Sequence, residues 1–426
     1  MKTLFANGYV LIKENDGFTV TDHAYLGVEN DRICFLSTQA PTEPFDSVID
    51  MRGKLLMPGL YNCHTHSAMV LFRGIGSDLP LDRWLYEKIF PLEQKLNYEA
   101  VLAGSYLAIM EMLACGTVSF SDMYFFPEAT AEAVLHAGIK ANLTRHIQSE
   151  KNIFDRQGIQ ASLDFYERYD HAGNGRIFVD FSLHSEYACA EQTAREYSRL
   201  CYEKGGRMHI HLAETTREYE DCIRRNGKSP VAWFYDCGTF ASKTAAAHCV
   251  ALDENDIRIL KENQVSVVHN PSSNLKLGSG FAKIPEMIDQ GVTVALGTDG
   301  AASNNNLNMF EEMHLAAIIH NGRQQNSMVM NADTVLNMAT GIGARLQGRQ
   351  DCGELKVGNK ADIIAIDLSA PHLCPRNDLK SLLVYSAQAS DVCMVMVDGK
   401  LLYRNGEFLT IDRERVLYNI EKTRIR

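Results

Sequence analysis

The segment Leu55-Leu-Met-Pro-Gly-Leu-Tyr-Asn-Cys-His64-Thr-His66 is an apolar run that ends in two histidines. Residues 55–62 have the length and composition of one buried strand. Alternate side chains of a strand point the same way, so the two imidazoles can share one metal ion. An H-x-H pair alone is a weak signal of such a site, and it gains weight only if other apolar runs also end in metal-binding side chains.

Seven further runs rich in Val, Ile, Leu or Ala alternate with segments of helical periodicity. This alternation is typical of βα units around a buried parallel sheet. Almost every run is followed by a side chain capable of chemistry. The eight runs are residues 55–62, 117–122, 139–144, 177–183, 207–210, 244–247, 265–268 and 292–297, and the polar residues at or just beyond their ends are His64, Asp122, Arg145, His184, His211, His248, His269 and Asp299.

Eight such units predict an α/β fold of the (β/α)8 barrel class, in which the active site lies at the C-terminal ends of the strands. Polar loops after strands would explain any one of these ends, but they do not explain the recurrence of histidine. We predict a catalytic barrel over residues 57–360. The β-rich segments 1–56 and 361–426 are predicted to fold together as a small composite β-sandwich domain.

Composition restricts the partners. The chain has 426 residues, is 46% hydrophobic and carries a formal net charge of -11, and it contains no long basic run. A nucleic acid or an anionic membrane is therefore an unsuitable partner, and a small-molecule substrate is expected. The sequence does not distinguish a monomer from a homo-oligomer.

The cysteines and the first residues predict a cytoplasmic protein. Eleven cysteines occur without a C-x-x-C pair, and the first residues lack the apolar region of a signal peptide. No apolar stretch approaches the roughly 20 residues that span a bilayer. No dinucleotide fingerprint is present either, so no organic cofactor is expected.

A metal site is predicted from His64, His66, His211 and Asp299. Three imidazoles and one carboxylate suit one Zn²⁺, with Fe²⁺ as the alternative, and leave room for a water molecule that the metal makes more acidic. Glu214 lies three residues after His211, which places a carboxylate near the metal for general acid/base work.

Two more strand ends complete the predicted catalytic group. His248 can hydrogen-bond a developing tetrahedral centre, and Asp299 can orient the water as well as bind the metal. Ser303 lies in the polar loop after Asp299, at the predicted mouth of the barrel, and is a candidate substrate contact.

The chain resembles the amidohydrolase superfamily and, within it, the enzymes that deaminate 5-methylthioadenosine and S-adenosylhomocysteine. The resemblance runs nearly end to end. Its motifs are MPGLYNCHTH (57–66), LFRG (71–74), LPLDRWL (79–85), PLE (91–93), HLAE (211–214), AHC (247–249), HNPSSNLKLG (269–278) and GTDGAASNN (297–305).

The resemblance implies a single metal held by His64, His66, His211 and Asp299, because the fourth run ends at His184 without the lysine that bridges two metals in binuclear relatives. It also implies a set of substrate contacts. Glu93 would bind the ribose hydroxyls, His184 would face the nucleoside, and Arg145 and Arg156 would hold a homocysteine carboxylate. Apart from the resemblance, Trp84 and residues 74–85 are expected to form part of a lid after the first strand, the alternative being a hydrophobic loop packed on the barrel rim.

The expected reaction is hydrolysis of the C6–amino bond of adenine in 5′-modified adenosines, which gives the inosine product and ammonia. Two alternatives remain open. One is a different reaction on the same site, as in a guanine-type deaminase or a triazine hydrolase, for which a ribose-binding Glu93 has no obvious role. The other is a catalytically silent scaffold, which would have no need of the complete set of metal ligands.

Overall fold

The fold is α/β, with three sheets and helices between the strands. The computed structural model describes residues 2–15, 17–79, 81–148 and 153–423. Within these ranges the strands are β1 (Lys2–Glu14), β2 (Gly17–Glu29), β3 (Arg32–Ser37), β4 (Ser47–Asp50), β5 (Lys54–Pro58), β6 (Leu60–Thr65), β7 (Thr117–Met123), β8 (Lys140–Thr144), β9 (Ile177–Val179), β10 (Phe181–Leu183), β11 (Arg207–Leu212), β12 (Lys243–His248), β13 (Ser266–His269), β14 (Val294–Leu296), β15 (Ile363–Asp367), β16 (Val392–Val397), β17 (Lys400–Arg404) and β18 (Glu407–Phe408).

Most of the helices follow the strands of the central region, as the sequence periodicity predicts. They are α1 (Leu81–Trp84), α2 (Phe90–Glu93), α3 (Tyr98–Ala114), α4 (Pro127–Ala137), α5 (Arg156–Tyr169), α6 (Ala172–Gly175), α7 (Glu191–Glu203), α8 (Thr216–Asn226), α9 (Pro230–Asp236), α10 (Glu254–Glu262), α11 (Pro271–Lys276), α12 (Ile284–Asp289), α13 (Met309–Gln324), α14 (Ala332–Ala339), α15 (Gly341–Leu346), α16 (Leu379–Tyr385) and α17 (Arg413–Thr423). In the described ranges no helix is both long and apolar enough to cross a membrane.

The two ends of the chain share one nine-stranded sheet. Its order is β18-β17-β16-β15-β5-β1-β2-β3, with β4 beside β1, and β15 pairs antiparallel to β5. The predicted run 55–62 is thus two strands, β5 in this sheet and β6 in the next. The break falls at Gly59, where an added Cβ would lie 2.2 Å from Val118 Cγ1, so only glycine permits this close packing.

The other predicted runs each form parallel strands. One sheet has the order β6-β7-β8-β9 and the other β10-β11-β12-β13-β14. The fourth run is interrupted at Asp180, whose carboxylate accepts hydrogen bonds from Asn142 and Arg207. Because all these strands are parallel, their carboxyl ends lie on one side of the fold.

Backbone hydrogen bonds join the two parallel sheets at both margins. Ile147 donates to the carbonyl of Ser182 (2.8 Å) on one side, and Asp299 donates to the carbonyl of His64 (2.9 Å) on the other. Gly297 lies at the second margin, where an added Cβ would come within 2.8 Å of the His64 nitrogen. The ends of β6 and β14 can therefore approach closely, which brings the residues after them together.

A buried ion cluster ties the parallel strands to the nine-stranded sheet. Lys140 Nζ, at the start of β8, lies 2.6 Å from Asp362 Oδ2 and 2.7 Å from Asp398 Oδ1. The Lys140 and Asp362 side chains are almost fully buried. Loss of one partner from such a pair costs about 3–5 kcal/mol, since it leaves a buried charge uncompensated.

Candidate active site

A cavity lies at the carboxyl ends of the parallel strands. Its polar lining consists of residues at or just beyond the carboxyl ends of seven strands, β6, β7, β8, β10, β11, β12 and β14, together with residues of the segments that follow them. The rest of the lining is aromatic or aliphatic. The lining residues are His66, Met69, Trp84, Leu85, Ile89, Phe90, Glu93, Met123, Tyr124, Phe125, His146, Gln148, His184, Tyr187, His211, Glu214, His248, Leu277, Asp299 and Ser303.

At the base of the cavity, several imidazoles converge on one carboxylate. Oδ1 of Asp299 lies 3.3 Å from His66 Nε2 and 3.5 Å from His64 Nε2, and His66 Nε2 lies 3.2 Å from His211 Nε2. Two sets of potential ligand atoms fall within 4.8 Å of one another: His64, His66 and Asp299, and His64, His211 and His248. This spacing is suited to a single cation.

The opposite ring nitrogens are occupied, so each imidazole is held with Nε2 toward the centre. Nδ1 of His66 lies 2.5 Å from the carbonyl of Met123, and Nδ1 of His211 lies 2.9 Å from the carbonyl of His184. His64 Nδ1 is paired with His209 Nε2 at 3.0 Å. A hydrogen bond to the distal nitrogen is the usual support of a metal-ligating histidine.

The imidazoles of the cluster differ in ionisation. Burial lowers the pKa of His66, but its contact with Asp299 prevails and raises that pKa to about 9, so a divalent cation that binds there must displace the His66 proton. Burial lowers the pKa of His64 to about 4 and lowers the pKa of His211 well below its ordinary value, so both are neutral at pH 7, the form that binds metal. Burial favours the neutral form of Asp299, but its close contacts with the His64 and His66 imidazoles hold its pKa well below the ordinary value. Nε2 of His64 is buried and has no well-formed hydrogen bond within the described ranges.

Glu214 and His248 lie beside this centre. Glu214 Oε2 is 4.0 Å from His248 Nε2, and His248 Nδ1 is 2.9 Å from Asn274 Oδ1. Burial raises the pKa of Glu214, and the neighbouring His248 opposes this effect. A carboxyl group with a raised pKa both accepts and returns a proton more readily near neutral pH.

The backbone is strained at two of these residues. His248 has a φ of 74° and Asp299 a φ of 61°, both in the left-handed region. Such conformations cost of the order of 1–3 kcal/mol each in non-glycine residues and cluster at functional sites. The surrounding packing holds both side chains in the cavity despite this strain.

Comparisons with known proteins agree with the site. The family described as "Amidohydrolase family" matches residues 55–402. This chain belongs to the amidohydrolase family. The predicted superfamily resemblance is therefore confirmed.

Individual relatives cover nearly the whole chain of this amidohydrolase. It is 43% identical to the 5-methylthioadenosine/S-adenosylhomocysteine deaminase of Acetivibrio thermocellus, over 97% of this chain and 98% of the relative. It is 41% identical to the 5′-deoxyadenosine deaminase of Methanosarcina acetivorans, over 97% and 95%. A zinc-bound adenosine deaminase from Xanthomonas campestris superimposes with a TM-score of 0.93 at 31% identity, covering 99% of this chain and 97% of that one.

Four of the predicted substrate contacts line the cavity of this amidohydrolase. Glu93 is the last residue of α2, and Trp84, which ends α1, donates its indole N–H to the carbonyl of Ile75 (3.1 Å). His184 stacks on His211 with ring centroids 4.6 Å apart. Ser303 Oγ lies 2.8 Å from Asp299 Oδ2, so its hydroxyl supports the predicted metal ligand as well as facing the cavity.

The two predicted carboxylate-binding arginines are not among the lining residues. Arg145 forms a salt bridge with Glu128 instead. Arg156 is exposed and begins α5, and residues 149–152, which precede it, lie outside the described ranges. Asp122 and His269, which also end predicted runs, are buried away from the cavity, where Asp122 accepts from Thr65 Oγ1 and the Ser67 N–H.

Several lining residues were not predicted as site residues. Tyr124 directly follows β7, and its position at a strand end is a signal that could have identified it. His146 also lines the cavity, with its ring 5.8 Å from that of His184, and burial lowers its pKa to about 4. Asn274 supports His248 from α11, and nothing in its local sequence spacing predicts that contact.

We predict that His211→Ala abolishes stable metal binding, because it removes a neutral Nε2 donor from a site with few ligands. Metal content measured by mass spectrometry should fall far below that of the wild-type chain. His171→Ala, which changes an exposed histidine, is the control and should keep the wild-type content. Equal metal content in folded His211→Ala protein would exclude His211 as a ligand.

Proposed function

We propose that this chain removes the C6 amino group of the adenine in 5′-modified adenosines by hydrolysis, producing the inosine derivative and ammonia. The main support is the placement of Glu214 beside the imidazole and carboxylate cluster within one cavity. The names of the relatives at 41–43% identity indicate the same substrate class.

The proposed metal ligands are His64, His66, His211 and Asp299, and the proposed native metal is one Zn²⁺. A bound divalent cation supplies Lewis acidity that lowers the pKa of water. The imidazole donors suit zinc, and zinc is present in the related adenosine deaminase structure; Fe²⁺ is the alternative.

Glu214 is proposed to move the proton. It would take a proton from the attacking water and pass it to the ring nitrogen next to C6. The bond that forms between the water oxygen and C6 makes this carbon tetrahedral. His248 would hydrogen-bond the new oxygen and stabilise its developing charge, and the Asp299 carboxylate would accept a hydrogen bond from the new hydroxyl and orient it. The remaining proton of the new hydroxyl then passes to the amino group through Glu214, the C6–N bond breaks with loss of ammonia, and the carbonyl of the inosine product forms.

The sugar is proposed to bind on the side of the cavity formed by α2. Glu93 would accept hydrogen bonds from the ribose hydroxyls, and His184 would face the nucleoside. Burial raises the pKa of Glu93, and the nearby Tyr124 hydroxyl opposes that rise. Trp84 and the π-helical turn Leu85–Ile89 are proposed to form a lid that excludes water.

The overall architecture is proposed to be a (β/α)8 barrel with a composite β-sandwich. The backbone bonds at both margins of the two parallel sheets support closure of β6 through β14 into one barrel. The barrel domain corresponds to residues 57–360, and the shared nine-stranded sheet supports a second domain from segments 1–56 and 361–426.

The direct test is a substrate panel. Zinc-loaded protein is assayed with adenosine, 5′-deoxyadenosine, 5-methylthioadenosine, S-adenosylhomocysteine, adenine and guanine, with ammonia release and ultraviolet absorbance as readouts. We expect turnover of the nucleosides and not of the free bases. We also expect S-adenosylhomocysteine to react more slowly than 5-methylthioadenosine, since Arg145 is paired with Glu128. Turnover of guanine alone would exclude the proposal.

Glu214→Gln should lower kcat by about 10²- to 10⁴-fold while the metal stays bound, because the amide cannot accept and return the proton. Glu220→Gln, an exposed position on the helix that follows Glu214, is the matched control. A near-normal kcat in metal-replete Glu214→Gln protein would remove Glu214 from the scheme.

Glu93→Ala distinguishes nucleosides from other heterocycles as substrates. Loss of a hydrogen bond to a carboxylate is worth about 1.5–3 kcal/mol, so kcat/KM for 5-methylthioadenosine should fall about 10- to 100-fold. Glu99→Gln, on the exposed side of α3, should have no such effect. Unchanged kcat/KM in Glu93→Ala would favour a guanine-type deaminase or a triazine hydrolase.

A further inference from the structure

Two separate segments hold the same oxygen of Asp299. Ser273, in α11, places Oγ 2.6 Å from Asp299 Oδ2, and Ser303, in the loop after β14, places Oγ 2.8 Å from it. Oδ1 is left facing the Nε2 atoms of His64 and His66. The direction of the Asp299 carboxylate therefore depends on the relative position of these two segments.

Glu312 connects the two segments. Its Oε2 accepts a hydrogen bond from the Ser272 N–H at 3.1 Å, and its Oε1 accepts one from the Asn304 amide at 3.3 Å. Ser272 and Asn304 are the chain neighbours of the two serines that hold Asp299. One carboxyl group in the first turn of α13 thus bridges both supports.

Burial of the Glu312 carboxyl group costs free energy, so a role for this residue in the site is expected. The side chain is 0% exposed, and burial raises its pKa to about 8 against the hydrogen bonds from Ser272. A buried carboxyl group is tolerated when it satisfies polar groups that would otherwise lack a partner. The backbone N–H of Ser272 is such a group, since Pro271 begins α11 and the first N–H groups of a helix have no partner within it.

We propose that Glu312 is a positioning residue for the metal centre. By hydrogen-bonding both the Ser272–Ser273 and the Ser303–Asn304 pairs, it fixes their relative position and thereby the orientation of the Asp299 carboxylate. This inference rests on the metal site proposed above. It predicts that loss of these hydrogen bonds loosens the metal without removing a ligand. Removal of such outer supports typically costs about 10- to 100-fold in metal affinity.

The test measures zinc directly in the full-length protein. Zinc-loaded wild-type, Glu312→Gln and Glu312→Ala proteins are mixed with excess chromogenic chelator, and the zinc affinity and release rate are recorded. Glutamine has nearly the same volume as glutamate, but its N–H₂ group faces one of the two hydrogen-bond donors, Ser272 or Asn304. One of the two hydrogen bonds made by Glu312 is therefore lost. We expect both variants to bind zinc about 10- to 100-fold more weakly, with kcat lowered and KM for nucleoside little changed.

Glu311→Gln is the matched control. Glu311 neighbours Glu312, and its carboxylate accepts from Asn306 in the same loop. It should retain wild-type zinc affinity. Wild-type zinc affinity in folded Glu312→Gln protein would overturn the proposal. An equal loss of zinc affinity in Glu311→Gln would also overturn it. If Glu312→Ala does not fold, the Glu312→Gln variant decides the test. Zinc affinity is measured without substrate, so it tests the role of Glu312 independently. A wrong substrate assignment would be detected only in the substrate panel.

Discussion

The structure depends on the convergence of several buried imidazoles around one buried carboxylate. Asp299 is 5% exposed, and an isolated carboxylate so placed would shift its pKa upward. Two serine hydroxyls and two nearby imidazoles hold it in the charged form instead. The cluster of Nε2 and Oδ1 atoms around it has the spacing to hold a cation, whose charge would balance that of the carboxylate.

The parallel strands make this convergence possible. Each βα unit ends on the same side of the fold, so residues far apart in the chain reach one cavity from separate strands. The orientation of the rings has a different origin. His66 is held by the carbonyl of Met123 at the end of the neighbouring strand β7, His211 by the carbonyl of His184, and His64 by His209. The strands position these histidines, while contacts between strands select the ring nitrogen that faces the centre of the cluster.

The cavity beside the imidazole and carboxylate cluster has a polar part and an apolar part. Glu214 and His248 belong to the polar part, whereas Trp84, Leu85 and Phe90 contribute to the apolar wall formed by the segment after β6. Such an arrangement excludes water from a bound heterocycle and strengthens the electrostatic interactions beneath it. Strained φ values at His248 and Asp299 show that packing maintains this geometry against local backbone preference.

The sequence by itself determined the alternation of strands and helices, the identity of the donors and their places at strand ends, because these depend on local periodicity and on residue type. It did not determine the split of the first run at Gly59, since that break reflects contact with Val118 on another strand. It also did not determine that Arg145 pairs with Glu128, or that Asn274 and Glu312 support His248 and Asp299. These contacts join residues with no fixed spacing along the chain, so only the tertiary structure could decide them.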